Sequence, residues 1–438
     1  MKTTRYPIPY LEPHLAFAHF AKDAYALFLD HSKPSEEEDI SIIAFDPVET
    51  YTFKAENPTN EPFKRLQSLL NKYTPEEACN ATHFTGGLAG LFSYDLGRTT
   101  EQLPNTAKDE LNLPDIAVGI YLKTITFNQT TREAYLYITS NNMTDAEQEH
   151  INIITRLKNN ASTTYKPVSL NWTPDKDKDA YKASIAKVID YIHQGDIFQA
   201  CIAQRFTAKL PRDFDSYAHY QHLRSISPAP FSCYMNTGNA IISSNSPERF
   251  LKLNPKGHVE TCPIKGTAPI DTDPQDLLSS EKDRAENTMI VDLMRNDLSR
   301  TCEPHSIDVP ELCVLKSFAN VHHLVSKVTA TLKKGNTPLD LLRTCFPGGS
   351  ISGAPKIRAM EIIDEIEPVR RNAYCGSIGY IGFNGQMDMN ILIRTLIFKG
   401  STAHLYSGGG IVADSTPEQE YQETLSKAQK LFESLNVA

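Results

Sequence analysis

Tyr121-Leu122-Lys123-Thr124-Ile125-Thr126-Phe127 alternates between apolar and polar residues, and Ala134-Tyr135-Leu136-Tyr137-Ile138 repeats the pattern a few residues later. Side chains of a strand point to opposite faces with a period of two, so such segments read as strands with one buried face. Similar short runs, separated by polar turns, fill the chain to about residue 155, and short turns join antiparallel neighbours. Beyond that point the period changes. From Asp179 to Gln194 apolar residues recur at helical spacing, and helices are expected near 145–159, 276–299, 355–366 and 417–435, with strands between them. The class is α+β, with large antiparallel sheets packed with helices.

A polar segment interrupts this pattern. Asn160-Ala161-Ser162-Thr163-Thr164-Tyr165-Lys166-Pro167 and Thr173-Pro174-Asp175-Lys176-Asp177-Lys178-Asp179 contain few core residues. They are read as the boundary between a β-rich N-terminal half, 1–165, and a second half, 175–435, the two packed intimately. No internal repeat, heptad run or low-complexity tract is present. With 40% hydrophobic and 22% charged residues the chain has the balance of a globular protein, and a net charge of -9 argues against a nucleic-acid-coating surface. The eight cysteines include no C-x-x-C pair, which speaks against a zinc ribbon or a disulfide scaffold. No apolar run reaches membrane-spanning length, and the N-terminus has no signal-peptide core, so a cytoplasmic location with small-molecule ligands is expected.

Three features suggest chemistry. Pro263-Ile264-Lys265-Gly266-Thr267 sets a primary amine on a tight turn. Lysine attacks only as the neutral amine, so a catalytic role calls for its pKa to be lowered by desolvation or a neighbouring positive charge. The second feature is a pair of acidic steps, Asp283 with Glu286 and Glu420 with Glu423, each three residues apart and so on one helix face. Four oxygen donors from two helices suit a hard cation, Mg²⁺ rather than zinc, with Glu286 and Glu423 as direct ligands and Asp283 and Glu420 acting through water. Lys427, one turn beyond Glu423, is either an anion contact or a salt-bridge partner. The third feature is glycine. Gly348-Gly349-Ser350-Ile351-Ser352-Gly353-Ala354-Pro355-Lys356 lacks the Walker A spacing, which excludes a nucleotide switch of that type. Pro355 suits a first helical position, with Ser352 or Gly353 as cap. Ser407-Gly408-Gly409-Gly410 follows a strand, where backbone N–H groups can approach a small anion.

Together these segments resemble the chorismate-utilising enzymes over residues 180–430. The resemblance also takes in Gly195-Asp196-Ile197-Phe198-Gln199, Ser227-Pro228-Ala229-Pro230-Phe231, Ser246-Pro247-Glu248-Arg249-Phe250, Val291-Asp292-Leu293-Met294-Arg295-Asn296-Asp297, His323-Leu324-Val325-Ser326 and Ile393-Arg394-Thr395. A looser N-terminal likeness runs from Gly86 to Asp95, and Ala26-Leu27-Phe28-Leu29-Asp30-His31-Ser32 resembles the element that lines a tryptophan site in relatives. The resemblance implies that 175–435 is the chorismate-binding catalytic half and that Mg²⁺ is the cofactor. Glu248 is implied as general acid, Arg394 with Tyr374 as the clamp on the enolpyruvyl carboxylate, and His323 and Ser350 as pocket residues. Two positions divide the family. Members that add water to chorismate carry Lys where this chain has Gln199, and anthranilate-forming members typically carry Ala where it has Lys265. The resemblance therefore implies amination at C4, through a covalent Lys265 adduct, towards p-aminobenzoate and folate. No cysteine lies in an amidotransferase nucleophile setting, so ammonia is expected from a glutamine amidotransferase partner. The nearest alternative is an anthranilate-forming enzyme. A scaffold that only docks the amidotransferase has no use for Lys265, Glu248, Glu286, Glu423 and Arg394 together.

Overall fold

Leu122 divides the stretch that indicated the fold. In the computed structural model, which describes residues 1–32, 39–79, 81–159, 164–317 and 321–436, Ile116–Tyr121 and Lys123–Asn128 are separate strands in different sheets. Ile116–Tyr121 is buried on both faces, which is why alternation alone could not mark the break. Among the described residues one sheet has twelve strands and the other ten, and every pair of named strands is antiparallel. The main apolar core joins them: Ile42, Met235 and Ile242 from the first sheet cluster with Leu88, Ile120 and Met387 from the second.

Both sheets draw strands from either side of the 165–175 segment. Leu27–Asp30 pairs with Phe231–Asn236 in the first sheet, and Gly87–Phe92 pairs with Ser377–Gly382 in the second. Asn160 to Thr163 of the expected boundary lie outside the described residues. Further along, Tyr165 donates its hydroxyl to the Ser434 carbonyl at 2.6 Å, and Leu170 joins Phe206, Leu431 and Leu435 in a second apolar cluster.

The expected helices form as Met143–Leu157, Lys178–His193, Lys356–Ile366 and Pro417–Ser434. The stretch at 276–299 forms two, Pro274–Ser279 and Glu281–Ser299. Ser280 breaks the run because its hydroxyl accepts the Asp283 N–H and so starts a new helix. Lys356–Ile366 starts differently from expectation. Pro355 occupies the cap position without a side-chain bond, and the Ser352 hydroxyl instead donates to the Gly348 carbonyl. Four helices were not anticipated: Pro13–Phe17, Glu61–Tyr73, Ser216–Ile226 and Pro338–Cys345. Ser216–Ile226 is rich in aromatic residues, which favour strands by intrinsic preference, and packing overrides that preference. No helix among the described residues is long and apolar enough to cross a membrane.

Candidate functional site

Lys265 sits in a strand, Ile264–Pro269, at a break in register rather than in a free turn. Ile264 pairs with Val325 and Thr267 with His323, leaving an extra residue between them. Gly266 permits this bulge with φ of +84°, and the Cβ it lacks would stand 3.0 Å from that of Asp283. The lysine side chain enters a cavity of about 160 Å³, which is also lined by Cys201, Glu248, His323, Ser350, Tyr374, Arg394, Gly408, Gly409, Gly410 and Lys427. Elements far apart in sequence thus meet around one amine.

Glu248 is the buried acid of this cavity. Its carboxylate accepts the Ser350 hydroxyl at 2.5 Å, and burial pushes it up to about 7, opposed by the Ser350 bond and by Lys265. A substantial fraction of it is therefore protonated near neutrality, unlike an ordinary carboxyl. His323 is the reverse case. Burial, with Arg394 adding to it, holds the imidazole down at about 4, while Nδ1 meets the Thr267 hydroxyl at 2.8 Å. A neutral His323 cannot supply a proton as an imidazolium, which leaves that role to Glu248. Arg394 has φ of +52°, and its guanidinium makes no hydrogen bond or ion pair to any described residue. Such a half-buried, unpaired guanidinium suits a bidentate carboxylate guest. Tyr374 stacks on Tyr406 with ring centroids 5.3 Å apart, forming an apolar wall.

Lys265 departs from expectation. Burial by itself would lower the ammonium, but Cys201 and the carboxylates Glu286, Glu248 and Glu423 outweigh it, and the side chain lies above the ordinary lysine value. Attack therefore requires that some of this negative charge be cancelled.

Asp283, Glu286, Glu420 and Glu423 lie outside the cavity's lining, although Lys427 of the Pro417–Ser434 helix is part of it. The missing Cβ of Gly409 would be 3.2 Å from Glu420 Oε2 and 3.2 Å from Glu423 Oε1, so a larger residue in the glycine run would press on both. Glu423 pairs with Lys427 at 2.5 Å, and Lys427 also lines the cavity. Glu420 accepts the Ser415 hydroxyl at 2.6 Å, and its Oε2 is buried without a partner. Asp283 accepts the Ser280 hydroxyl at 2.5 Å. Glu286 makes no hydrogen bond or ion pair to any described residue, and burial raises it, with Asp283 and Glu423 adding to the shift. Among the described residues no three ligands already form a tight metal cluster. Even so, the under-satisfied oxygens of Glu286 and Glu420, beside Glu423, are the donor set a hard cation takes.

Gln199 is not among the lining residues, but its amide lies beside Lys265 on the same face of the glycine strand. The Cβ that Gly410 lacks would fall 2.1 Å from its Nε2 and 2.9 Å from Lys265 Nζ, and both amide atoms are buried without partners. Sequence reasoning missed Thr267, Cys201 and a buried frame around Arg371. Arg371 donates to Glu367 at 2.9 and 2.6 Å, to the Ile351 carbonyl at 2.9 Å and to the Cys201 carbonyl at 2.6 Å. Glu367 in turn accepts the Ala203 N–H at 2.9 Å. This frame fixes the Gln199–Lys209 strand against the Gly348 loop. Its one local signal was the Glu-x-x-x-Arg spacing, four residues apart.

A larger cavity of about 680 Å³ lies away from this chemistry, lined in part by Asp30, His31, Phe231 and Asp388. Size alone would favour it, but charge does not: Asp30 is satisfied by Arg224 at 2.7 Å and Tyr220 at 3.1 Å, and Asp388 by Arg249 at 3.0 Å.

Comparison with known proteins places the chain in a family. The chain is 46% identical over 361 residues to aminodeoxychorismate synthase component 1 of Klebsiella aerogenes, covering 80% of this chain and 78% of the relative. It is 41% identical over 416 residues to the protein of that name from Salmonella typhimurium, covering 90% and 89%. The crystal structure of anthranilate synthase component I from Streptococcus pneumoniae superimposes with a TM-score of 0.82 at 29% identity, over 96% of this chain and 97% of that one. Residues 25–433 match the chorismate binding enzyme family, and the chain belongs to it.

Proposed function

We propose that this chain converts chorismate and ammonia to 4-amino-4-deoxychorismate, on the way to p-aminobenzoate and folate, in the cytoplasm. The observation that carries the reading is the meeting of Lys265, the buried carboxyl of Glu248 and the unpaired Arg394 in one cavity. The names of the two bacterial relatives support it, and their designation as component 1 supports a second component, here a glutamine amidotransferase that supplies ammonia.

In this reading Arg394 and Tyr374 hold the enolpyruvyl carboxylate, with the N–H groups of the Gly408 to Gly410 run available to the ring carboxylate. Glu286 and Glu423 would hold Mg²⁺, with Glu420 and Asp283 behind them. When bound, the ion supplies positive charge for the ring carboxylate and offsets the pull of two carboxylates on the Lys265 proton. The neutral Lys265 amine attacks C2, both conjugated ring double bonds shift by one position, and the C4–O bond breaks as Glu248 donates its proton, releasing water. Ammonia then attacks C4, both double bonds return, and the C2–N bond to Lys265 breaks. Chorismate and ammonia give product and water, and each displacement is easier than the single one they replace.

Incubating the purified chain with chorismate, Mg²⁺ and ammonium at alkaline pH, then identifying the product by mass spectrometry and NMR, tests the proposal. The expected product is 4-amino-4-deoxychorismate; anthranilate in its place would assign the chain to the alternative branch. Glutamine alone should give no product, and brisk glutamine-dependent turnover by the isolated chain would remove the need for a partner.

A further inference from the structure

Cys201 brings to the cavity a group that the amination does not use. Its Sγ lies 4.0 Å from Lys265 Nζ, and its other polar contact is a weak donation to the Ser350 carbonyl at 3.4 Å. Of the eight cysteines, Cys201 and Cys375 line this cavity, and Cys375 is buried, with its thiol pushed up to about 12. Gln199 faces the same spot with a fully buried amide whose two polar atoms have no partner, so the place is built to receive one more polar atom. Cys201 pairs in register with Gly410, and the absent Cβ leaves the amine room to move towards the sulfur.

We propose that Cys201 is an oxidative modification site, at which a peroxide converts the thiol to a sulfenic acid and Lys265 then closes a sulfenamide bond to it. The bond follows from the geometry, while its effect on turnover rests on the reading of Lys265 given above. In the first step the sulfur gives two electrons to the peroxide, the O–O bond breaks, an S–O bond forms and water leaves. The unpaired Gln199 amide can hydrogen-bond the new oxygen. In the second step the Lys265 nitrogen attacks the sulfur, an S–N bond forms, the S–O bond breaks and a second water leaves, while the remaining ammonium proton passes to solvent. Relative to thiol and free amine, the linked chain has lost two hydrogens.

The full-length chain is treated with hydrogen peroxide, with and without chorismate, and followed by intact mass, peptide mapping and turnover before and after dithiothreitol. The expected result is a species lighter by two hydrogens, with the Cys201 and Lys265 peptides joined. Turnover should fall by about tenfold or more, recover with dithiothreitol, and be protected by chorismate. Cys201→Ser should form no such species and should keep its own starting turnover under the same treatment. A joined chain with unchanged turnover would uphold the modification site and remove Lys265 from catalysis instead. Oxidation that runs on to sulfinic acid without linkage in the wild type, or equal inactivation of Cys201→Ser, would overturn the proposal.

Discussion

Two cavities in this chain use the same kinds of residue to opposite ends. In the larger one Asp30 and Asp388 are neutralised by Arg224 and Arg249 behind them. In the smaller one Arg394 finds no partner among the described residues, burial raises the Glu248 carboxyl, and Lys265 is crowded by carboxylates it does not bond. A charge that a fold leaves unpaired at a cost in stability is a charge held for something else. Volume and unpaired charge therefore single out different cavities.

The comparison can be broken first at Lys265. Lys265→Ala is expected to lower C4 amination by about a thousandfold, because the two-step displacement is lost. Residual product should shift towards 2-amino-2-deoxyisochorismate or anthranilate, since ammonia can still attack C2 directly. Unchanged formation of 4-amino-4-deoxychorismate, read by product analysis, would make the lysine a strand residue and no more. Next come Glu286→Gln and Glu423→Gln, each expected to reduce turnover about a hundredfold and to raise the Mg²⁺ concentration needed for half-maximal rate. Thermal melting should be little altered, and normal metal dependence in either variant would move that residue off the ion.

The paired and unpaired arginines offer a direct contrast. Arg224→Leu strands the buried Asp30 carboxylate and should cost roughly 3–5 kcal/mol in denaturant unfolding, with chorismate KM little changed in the folded fraction. Arg394→Leu should leave stability equal or higher and raise KM by about a hundredfold, the loss of a bidentate carboxylate contact. If both variants lose stability alike, the distinction between the two cavities fails.

The smallest effect concerns protons. Glu248 must be protonated to act as acid, so at constant free ammonia the rate it supports is full below about 7 and declines as pH rises through that value. The same shift has a stability sign. Between the ordinary carboxylate value of 4.5 and about 7 the folded chain holds a proton that the unfolded chain has released, so folding stability falls as pH rises across that window. Glu248→Gln should flatten this slope in pH-dependent unfolding, and an unchanged slope would place the proton elsewhere.

What could be read in advance follows the range of the interactions involved. The acidic pairs and the glycine run are local patterns, and the helices that carry them formed close to where periodicity placed them. Ser280 and Asp283 carried a capping signal three residues apart that, weighed against the run of helix formers, would have divided the 276–299 stretch. The sheet exchange at Leu122 left no such mark, because burial on both faces of Ile116–Tyr121 erases alternation. Cys201 and Thr267 were equally hidden: their partners, Lys265 and His323, lie 64 and 56 residues away, and only the assembled sheets bring them together. The elevation of Lys265 escaped for the same reason, since Glu248, Glu286 and Glu423 act on it at once from three separate elements.

The strand pairing between Gly87–Phe92 and Ser377–Gly382 has a consequence for biosynthesis. During translation the early strands leave the ribosome long before the segments that complete their sheets, and at about 5–20 residues per second that wait is on the order of tens of seconds. Throughout it Leu88, Leu91 and Phe92, fully buried in the finished protein, lack the surface that covers them. A strand with an open edge and an apolar face is a template for unwanted pairing. Newly made chain should therefore depend on chaperone capacity more than its final stability suggests, and truncation before residue 377 should yield aggregates rather than a folded N-terminal piece.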